Sequence, residues 1–308
     1  MHSLRWTVVF ARFHSDIRIL IRAWFSVYSP RRAPAKSPKN PEILFKIEKV
    51  EKLKNRKKHL PMSSSEFEVD HEDELLMHSY STLPNNCKKY WKKRYSLFSK
   101  FDEGVYLTSE LWYSVTPEIT ARVTAKMVKR LLPQCKSVLD ICCGGGGNTI
   151  QFAKMFPSVV GIDINANNVK CSQHNSMVYG VQEKTSFVQG DWKLLSETTN
   201  WIPESIPHHK FDFVFCSPPW GGPQYKYQDQ FDLSAMEPFS LRSLCVSIRR
   251  FSDNFGLFLP RNSDFDQIRH VTSDLYGPGY KTRVICIWQD GRPLGILAIF
   301  GESFRNDI

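Results

Sequence analysis

Five short apolar runs recur from Lys136 onward: "KSVLDIC", "SVVGIDI", "TSFVQGD", "FDFVFCS" and "NFGLFLP". Each has the length of a strand. Between them "NTIQFAKMF", "ANNVKCSQHNSMVYG", "LSAMEPFSLRSLCVSIRRF" and "SDFDQIRHVTSDL" read as helices. Strands alternating with helices predict a parallel sheet covered on both faces. A further helix precedes the first strand, where "PEITARVTAKMVKRLL" opens on Pro117 and Glu118, a good first turn. The end differs: "KTRVICIWQD", the turn "GRP" and "LGILAIFGE" predict a β-hairpin. The expected fold is therefore α/β, a doubly wound sheet closed by a C-terminal β-hairpin. Upstream, "KKYWKKRYSLFSKFD" (Lys88 to Asp102) interleaves basic and aromatic side chains and suits a helix with one cationic and one apolar face. "VVFARFHSDIRILIRAWF" has rough amphipathic helical spacing.

Charge divides the chain. Residues 1–62 hold 15 Lys/Arg against 4 Asp/Glu, and the remainder 26 against 27, so the net charge of +10 sits in the N-terminal fifth. Residues 1–62 read as a basic arm, either a disordered extension or a targeting signal. Its Arg-rich, acid-poor start looks like an organelle transit peptide. "KVEKLKNRKKHL" (Lys49 to Leu60) is of the nuclear-localisation or nucleic-acid type, or else a solvated helix face. Residues 63–85 are acidic and Ser-rich and read as linker. Residues 86–132 read as a helical extension and 133–308 as the α/β domain. No apolar run approaches the ~18 residues of a membrane span. The eight cysteines form no CxxC pair, so neither a zinc site nor a disulfide framework is expected, but reduced thiols in an intracellular protein.

"VLDICCGGGGNT" ends the first strand of the sheet and opens a helix. Glycines there let the backbone approach a ligand, and Gly144, Gly146, Asn148 and Thr149 are candidate cofactor contacts beside a helix N-terminus. The spacing is not that of a dinucleotide fingerprint, and Asp140 stands before the glycines. A carboxylate repels pyrophosphate but serves the ammonium of an amino-acid moiety, which favours S-adenosyl-L-methionine. Asp163, at the end of the second strand, is placed to accept from both ribose hydroxyls. Asp191, after the third, is placed to meet the adenine amino group.

The fourth strand finishes in "SPPWGGP", at the crevice where open α/β sheets bind ligands. This is the (Asn/Asp/Ser)-Pro-Pro-aromatic pattern of enzymes that methylate exocyclic amines of planar bases. Two prolines lock the turn, so that the Ser217 oxygen and the Pro218 carbonyl can hold an amine for in-line attack. The lone pair of such an amine is delocalised into its ring, which leaves placement as the main catalytic contribution. Trp220 offers a face for the base.

These stretches, with "YWKKRYSLFSKFDEG", "ELWYSVTPE", "GIDI", "GDW" and "FLPRNSD", resemble the trimethylguanosine synthases, RNA cap hypermethylases with a class I methyltransferase, Rossmann-like fold. The resemblance runs from about Tyr90 to the C-terminus. It departs at Cys142, Gly145 and Gln224. It implies transfer of methyl groups to N2 of a 7-methylguanosine cap, giving 2,2,7-trimethylguanosine on small nuclear and small nucleolar RNA. It also implies a nuclear enzyme (nucleolus or Cajal body included) with RNP proteins among its partners; the residues themselves lead us to expect no membrane and no metal. Trp220 becomes the selector for a cationic base as well as part of the catalytic turn. Trp112 is either a second aromatic wall or core. Thr116, Pro117 and Glu118 look like the segment closing over the methionine end of the cofactor, and Arg261 and Asn262 look like ligands for the cap triphosphate. Two other readings remain at this point: methylation of guanine N2 or adenine N6 elsewhere in RNA, and a catalytically silent cap-binding adaptor.

Overall fold

A computed structural model describes residues 8–13, 17–24, 74–221, 225, 227–289 and 291–304. The strands in chain order are β1 (Val8–Phe13), β2 (Ile17–Trp24), β3 (Ser137–Ile141), β4 (Ser158–Asp163), β5 (Thr185–Gln189), β6 (Phe213–Cys216), β7 (Phe255–Leu259), β8 (Arg283–Gln289) and β9 (Arg292–Phe300). Among the described residues they form one sheet of order β1-β2-β8-β9-β7-β6-β3-β4-β5. β3 to β7 are mutually parallel, and the chain reverses its direction of travel across the sheet between β3 and β6. β9 joins β7 antiparallel and β8 joins β9 as the expected hairpin.

Alternate residues of the central strands feed two cores. Val138, Val159, Phe213 and Phe215 pack on one face, with side chains of α3 (Glu118–Leu131), α4 (Gly147–Ala153) and α5 (Ala166–Val178). Leu139, Val160, Val214 and Cys216 pack on the other, with α6 (Trp192–Leu195), α7 (Leu241–Arg249) and α8 (Phe265–Tyr276). Both faces being dry is why these strands read as continuous apolar runs. The α7 helix is shorter than its sequence pattern suggested. Pro238 cannot continue a helix from Leu233, and Ser240 caps a new start by accepting from the Ser243 N–H.

Three upstream expectations are revised. "KKYWKKRYSLFSKFD" is not one helix: a 3-10 turn over Lys88–Lys93 leads into the single turn of α1 (Arg94–Leu97), and another 3-10 turn covers Phe101–Glu103. Ten residues of straight helix advance about 15 Å, yet the rings of Trp91 and Phe101 lie 5.6 Å apart. Both wrap around Trp112 in the short α2 (Leu111–Ser114), at 5.7 and 5.5 Å, and the chain must bend to reach it. "VVFARFHSDIRILIRAWF" supplies the β1–β2 hairpin on the edge of β8 rather than a helix. Ile17, Ile19 and Ile21 alternate with Arg18, Leu20 and Arg22, and a two-residue period in β-branched residues wins over a loose helical one. The part of the expected linker that is described, from Glu74, is packed: the Leu107 N–H donates to the Leu76 carbonyl at 2.7 Å and Leu83 is buried. The lysine run Lys49 to Leu60 lies outside the described residues, as does Gln224. No helix among the described residues is long and apolar enough to cross a membrane.

Trp112 is 1% exposed. Trp112→Ala should therefore cost about 3–5 kcal/mol of stability, the range for deleting a large buried aromatic. Denaturant unfolding checks it, and a loss below about 1 kcal/mol would remove Trp112 from the core.

Candidate functional site

At the C-terminal ends of β3 to β7 lies a cavity of about 1590 Å³. The register of β3 against β6 decides what meets there. Ile141 pairs with Cys216, so the glycine loop and the Ser-Pro-Pro-Trp turn leave the sheet from neighbouring positions one strand apart, about 5 Å. The loop turns on Cys142 (φ 61°), Gly144 and Gly146. Gly146 precedes α4 at φ 81°, a left-handed conformation costly for other residues. A Cβ on Gly147 would meet the Thr116 carbonyl at 3.2 Å. The glycines thus admit the segment 111–117 as well as a ligand.

Of the residues expected at the site, Gly144, Asn148, Asp163, Asp191, Thr116, Pro117, Trp112, Ser217, Pro218, Trp220 and Arg261 line the cavity. Asp163 is 8% exposed. Its Oδ2 accepts from the Gly144 N–H at 2.8 Å, and its Oδ1 from the Asn165 N–H at 3.0 Å and the Asn168 Nδ2 at 3.2 Å. Burial raises its pKa against the pull of those donors. Asp191 caps α6 by accepting from the Lys193 N–H, and borders the cavity at the same time. The buried Asn148 donates to Thr116 Oγ1 at 3.1 Å, and its own Oδ1 has no partner. Trp220 is half-buried; its indole N–H donates to the Phe258 carbonyl at 3.2 Å and its ring meets Tyr225 edge-on at 5.3 Å. The Arg261 guanidinium lies over that same Tyr225 ring at 5.8 Å.

Others stand apart from the cavity wall. Asp140 is fully buried beneath the loop, its Oδ2 accepting from the Thr149 hydroxyl at 2.5 Å and its Oδ1 unpartnered. It and Thr149 hold the loop from below, because a charged group at the strand end is closed off by the very glycines that follow it. Gly146 is likewise off the wall, beneath Ser172. Glu118 turns away: its Oε2 accepts from the Ser99 N–H at 2.6 Å and the Tyr179 hydroxyl at 2.7 Å. Burial would raise its pKa, but those bonds and Lys154 outweigh it and the pKa is lowered. Asn262 donates to the Tyr225 and Gln228 carbonyls and so fastens the loop after Trp220 rather than facing a phosphate. Trp112, by contrast, does line the cavity, but from within the core, 1% exposed and with its indole N–H unpartnered.

Sequence reading missed a row of polar side chains on α5. Asn168, Ser172 and Asn175 are all buried, at the i, i+4, i+7 spacing of one helix face. Ser172 donates to the Gly144 carbonyl at 2.6 Å, and Asn175 to the carbonyls of Gly145 and Tyr106, both at 2.9 Å. Glu110, also on the cavity wall, accepts from Asn168 at 2.7 Å. Helical spacing of polar residues was the available signal, and it looks like a solvated face.

The sequence profile of the RNA cap guanine-N2 methyltransferases matches residues 135–303. The chain belongs to the RNA cap guanine-N2 methyltransferase family. The trimethylguanosine synthase of Saccharomyces cerevisiae is 38% identical over 84% of this chain and 81% of its own length. That of Schizosaccharomyces pombe is 36% identical over 70% of this chain and 92% of its own. A crystal structure described as a putative methyltransferase from Porphyromonas gingivalis shares the fold, with a TM-score of 0.51 over 70% of this chain and 48% of that one at 14% identity. This RNA cap guanine-N2 methyltransferase therefore uses S-adenosylmethionine to methylate the exocyclic amine of a cap guanosine. The cavity fits such a donor: it offers three carboxylates, Glu110, Asp163 and Asp191, the unpartnered Asn148 Oδ1, and an apolar side chain, Ile164, left 65% exposed on its wall. Among the described residues no three His, Cys, Asp or Glu side chains converge as a metal site.

Burial pushes the Asp140 carboxyl up to about 7 against the Thr149 hydroxyl bond, which lowers it. In the unfolded chain it titrates near 4. Between about pH 4 and 7 the folded form keeps a proton that the unfolded form has lost, so this group's contribution is full below pH 4 and lost by about pH 7. Asp140→Asn keeps an acceptor for Thr149 and should flatten that part of the profile. Melting temperatures at pH 5 and pH 8 check it; an unchanged difference between the two would mean that Asp140 does not titrate there.

Proposed function

We propose that the substrate is the 7-methylguanosine cap of small nuclear and small nucleolar RNAs, and that two successive transfers to N2 give 2,2,7-trimethylguanosine. The observation that carries this reading is Trp220. A stacking platform has to be fixed along one edge and open on a face, and Trp220 is pinned through its N–H to Phe258 while bordering the cavity beside Ser217 and Pro218. N7-methylguanine is cationic, and a cation on an indole face gains about 1–2 kcal/mol beyond apolar contact. That favours a base already methylated at N7. The name shared by the two yeast relatives supports the second transfer.

S-adenosylmethionine supplies an electrophilic methyl group on a sulfonium. In this reading Asp163 holds its ribose, Asp191 its adenine amine and the unpartnered Asn148 Oδ1, with Thr116 and Pro117, its methionine end. Ser217 and the Pro218 carbonyl hold the N2 amine in line, which is the principal contribution open to the protein when the nucleophile's lone pair is delocalised. Arg261, backed by Tyr225, receives the cap phosphates, and bidentate guanidinium contacts suit them. Nuclear localisation, with RNP proteins as neighbours, follows from these substrates and from the lysine run in the basic arm. Targeting to an organelle by the Arg-rich start is the competing outcome of imaging a fluorescent fusion of the full chain.

Three results test the reading. Mass analysis of m7GpppG after incubation with S-adenosylmethionine should show two added methyls on the 7-methylated guanosine, and activity confined to uncapped RNA would overturn it. Ser217→Ala should mainly lower turnover, since the backbone carbonyls remain; an equal fall in cap affinity would assign Ser217 to binding instead. Trp220→Ala should weaken m7GpppG binding by about 1–3 kcal/mol while the fold survives. Trp220→Phe should restore part of that loss, and the loss should be smaller for uncharged GpppG. A large fall in melting temperature with the preference for m7G over G intact would return Trp220 to the core.

A further inference from the structure

The acceptor capacity of Asp163 is nearly used before any ligand arrives. A carboxylate oxygen accepts two hydrogen bonds. Oδ1 already takes one from the Asn165 N–H and one from Asn168 Nδ2, and Oδ2 takes one from the Gly144 N–H. One place remains, on Oδ2. The ribose of an adenosyl cofactor carries two hydroxyl donors, so the second needs another acceptor.

The geometry points to Glu110 as that acceptor, the two carboxylates sharing the ribose diol between them. Asn168 sets their spacing. Its Oδ1 accepts from the Thr108 hydroxyl at 2.9 Å, which turns its NH2 toward the two carboxylates, groups that can only accept. One hydrogen reaches Glu110 Oε1 at 2.7 Å and the other Asp163 Oδ1 at 3.2 Å. Both acids are thereby held within about 6 Å of one another, a span a vicinal diol can bridge. The shared amide also offsets their repulsion. Glu110 is exposed and lines the cavity, and Oε1 is committed to a single bond there. Its backbone carbonyl accepts from the N–H groups of Tyr113 and Ser114, so the residue is anchored in the turn of α2. Asn168 itself, 3% exposed, is a positioning residue.

This inference rests on Asp163 as a ribose acceptor, and the experiment separates the two. Dissociation constants are measured by calorimetry on the full chain for S-adenosylhomocysteine and its 2′-deoxy and 3′-deoxy forms. The proteins are wild type, Glu110→Ala, Glu110→Gln and Asp163→Asn, each with its melting temperature in the absence of ligand. Glu110→Ala should weaken S-adenosylhomocysteine about 10- to 100-fold, as loss of a bond to a charged acceptor does. It should leave unchanged the affinity for whichever deoxy form lacks the hydroxyl that Glu110 receives. Glu110→Gln keeps a carbonyl acceptor and should recover part of the loss, which also guards against a misfolded alanine variant. Equal weakening of all three ligands by Glu110→Ala, or none, would overturn the sharing while leaving Asp163 in place. Full affinity in Asp163→Asn would remove the ribose reading itself, and the sharing with it.

Discussion

The side chain of Asn175 is buried completely, yet it bonds two separate parts of the chain at once. It accepts from the Tyr106 N–H at 2.8 Å and donates to the carbonyls of Tyr106 and Gly145. A buried amide left without partners costs roughly 1–3 kcal/mol, and so do the backbone groups it would abandon. The extension before α3 and the glycine loop are therefore locked to α5 together. Ser172 and Asn168 repeat the device one and two turns earlier on the same face, reaching Gly144, Asp163, Thr108 and Glu110. Nothing in the sheet alone would hold the 105–117 segment over the cavity.

The sheet adds a second constraint on the cavity. It brings the glycine loop and the Ser-Pro-Pro-Trp turn side by side through one pairing, Ile141 with Cys216, because each loop begins at the next residue. Neighbouring strands are about 5 Å apart, so the two loops open into a shared cavity without any long connection. The remaining freedom lies in the loops, and it is removed locally. Asp140 and Thr149 brace the glycine loop from beneath, while the Phe258 carbonyl fixes Trp220. A transfer whose barrier falls mainly through alignment asks for this kind of rigidity.

Much of this was legible in the chain. Strand-length apolar runs separated by helices defined the parallel sheet, and Pro117, Asp163, "GGGG" and "SPPW" marked the cavity by the special backbone or charge each supplies. What stayed hidden depends on distance through space. The aromatic residues from Tyr90 to Phe101 suggest an amphipathic helix until Trp112, from a later segment, is known to sit among them. Asp140 and Glu118 are acids at the right chain positions, but one is roofed over and the other is claimed by Ser99 and Tyr179. The polar face of α5 looks like a solvated surface because the sequence does not show that it packs against carbonyls. A buried hydrogen-bond network leaves no periodic apolar signature.

Charge placement adds the last constraint. The excess of cations lies in residues 1–62, and the rest of the chain is close to neutral. Part of that excess, Arg12, Arg18 and Arg22, lies in β1 and β2 of the same sheet. Phosphate contacts position a nucleic acid without reading it. In the proposed reading, discrimination comes from short-range features of the cavity: an indole face pinned on one edge, a proline-locked pair of acceptors, and a cation, Arg261, set against an aromatic ring. Such features act over a few ångströms and persist in salt, whereas attraction by a basic arm weakens steeply as ionic strength rises.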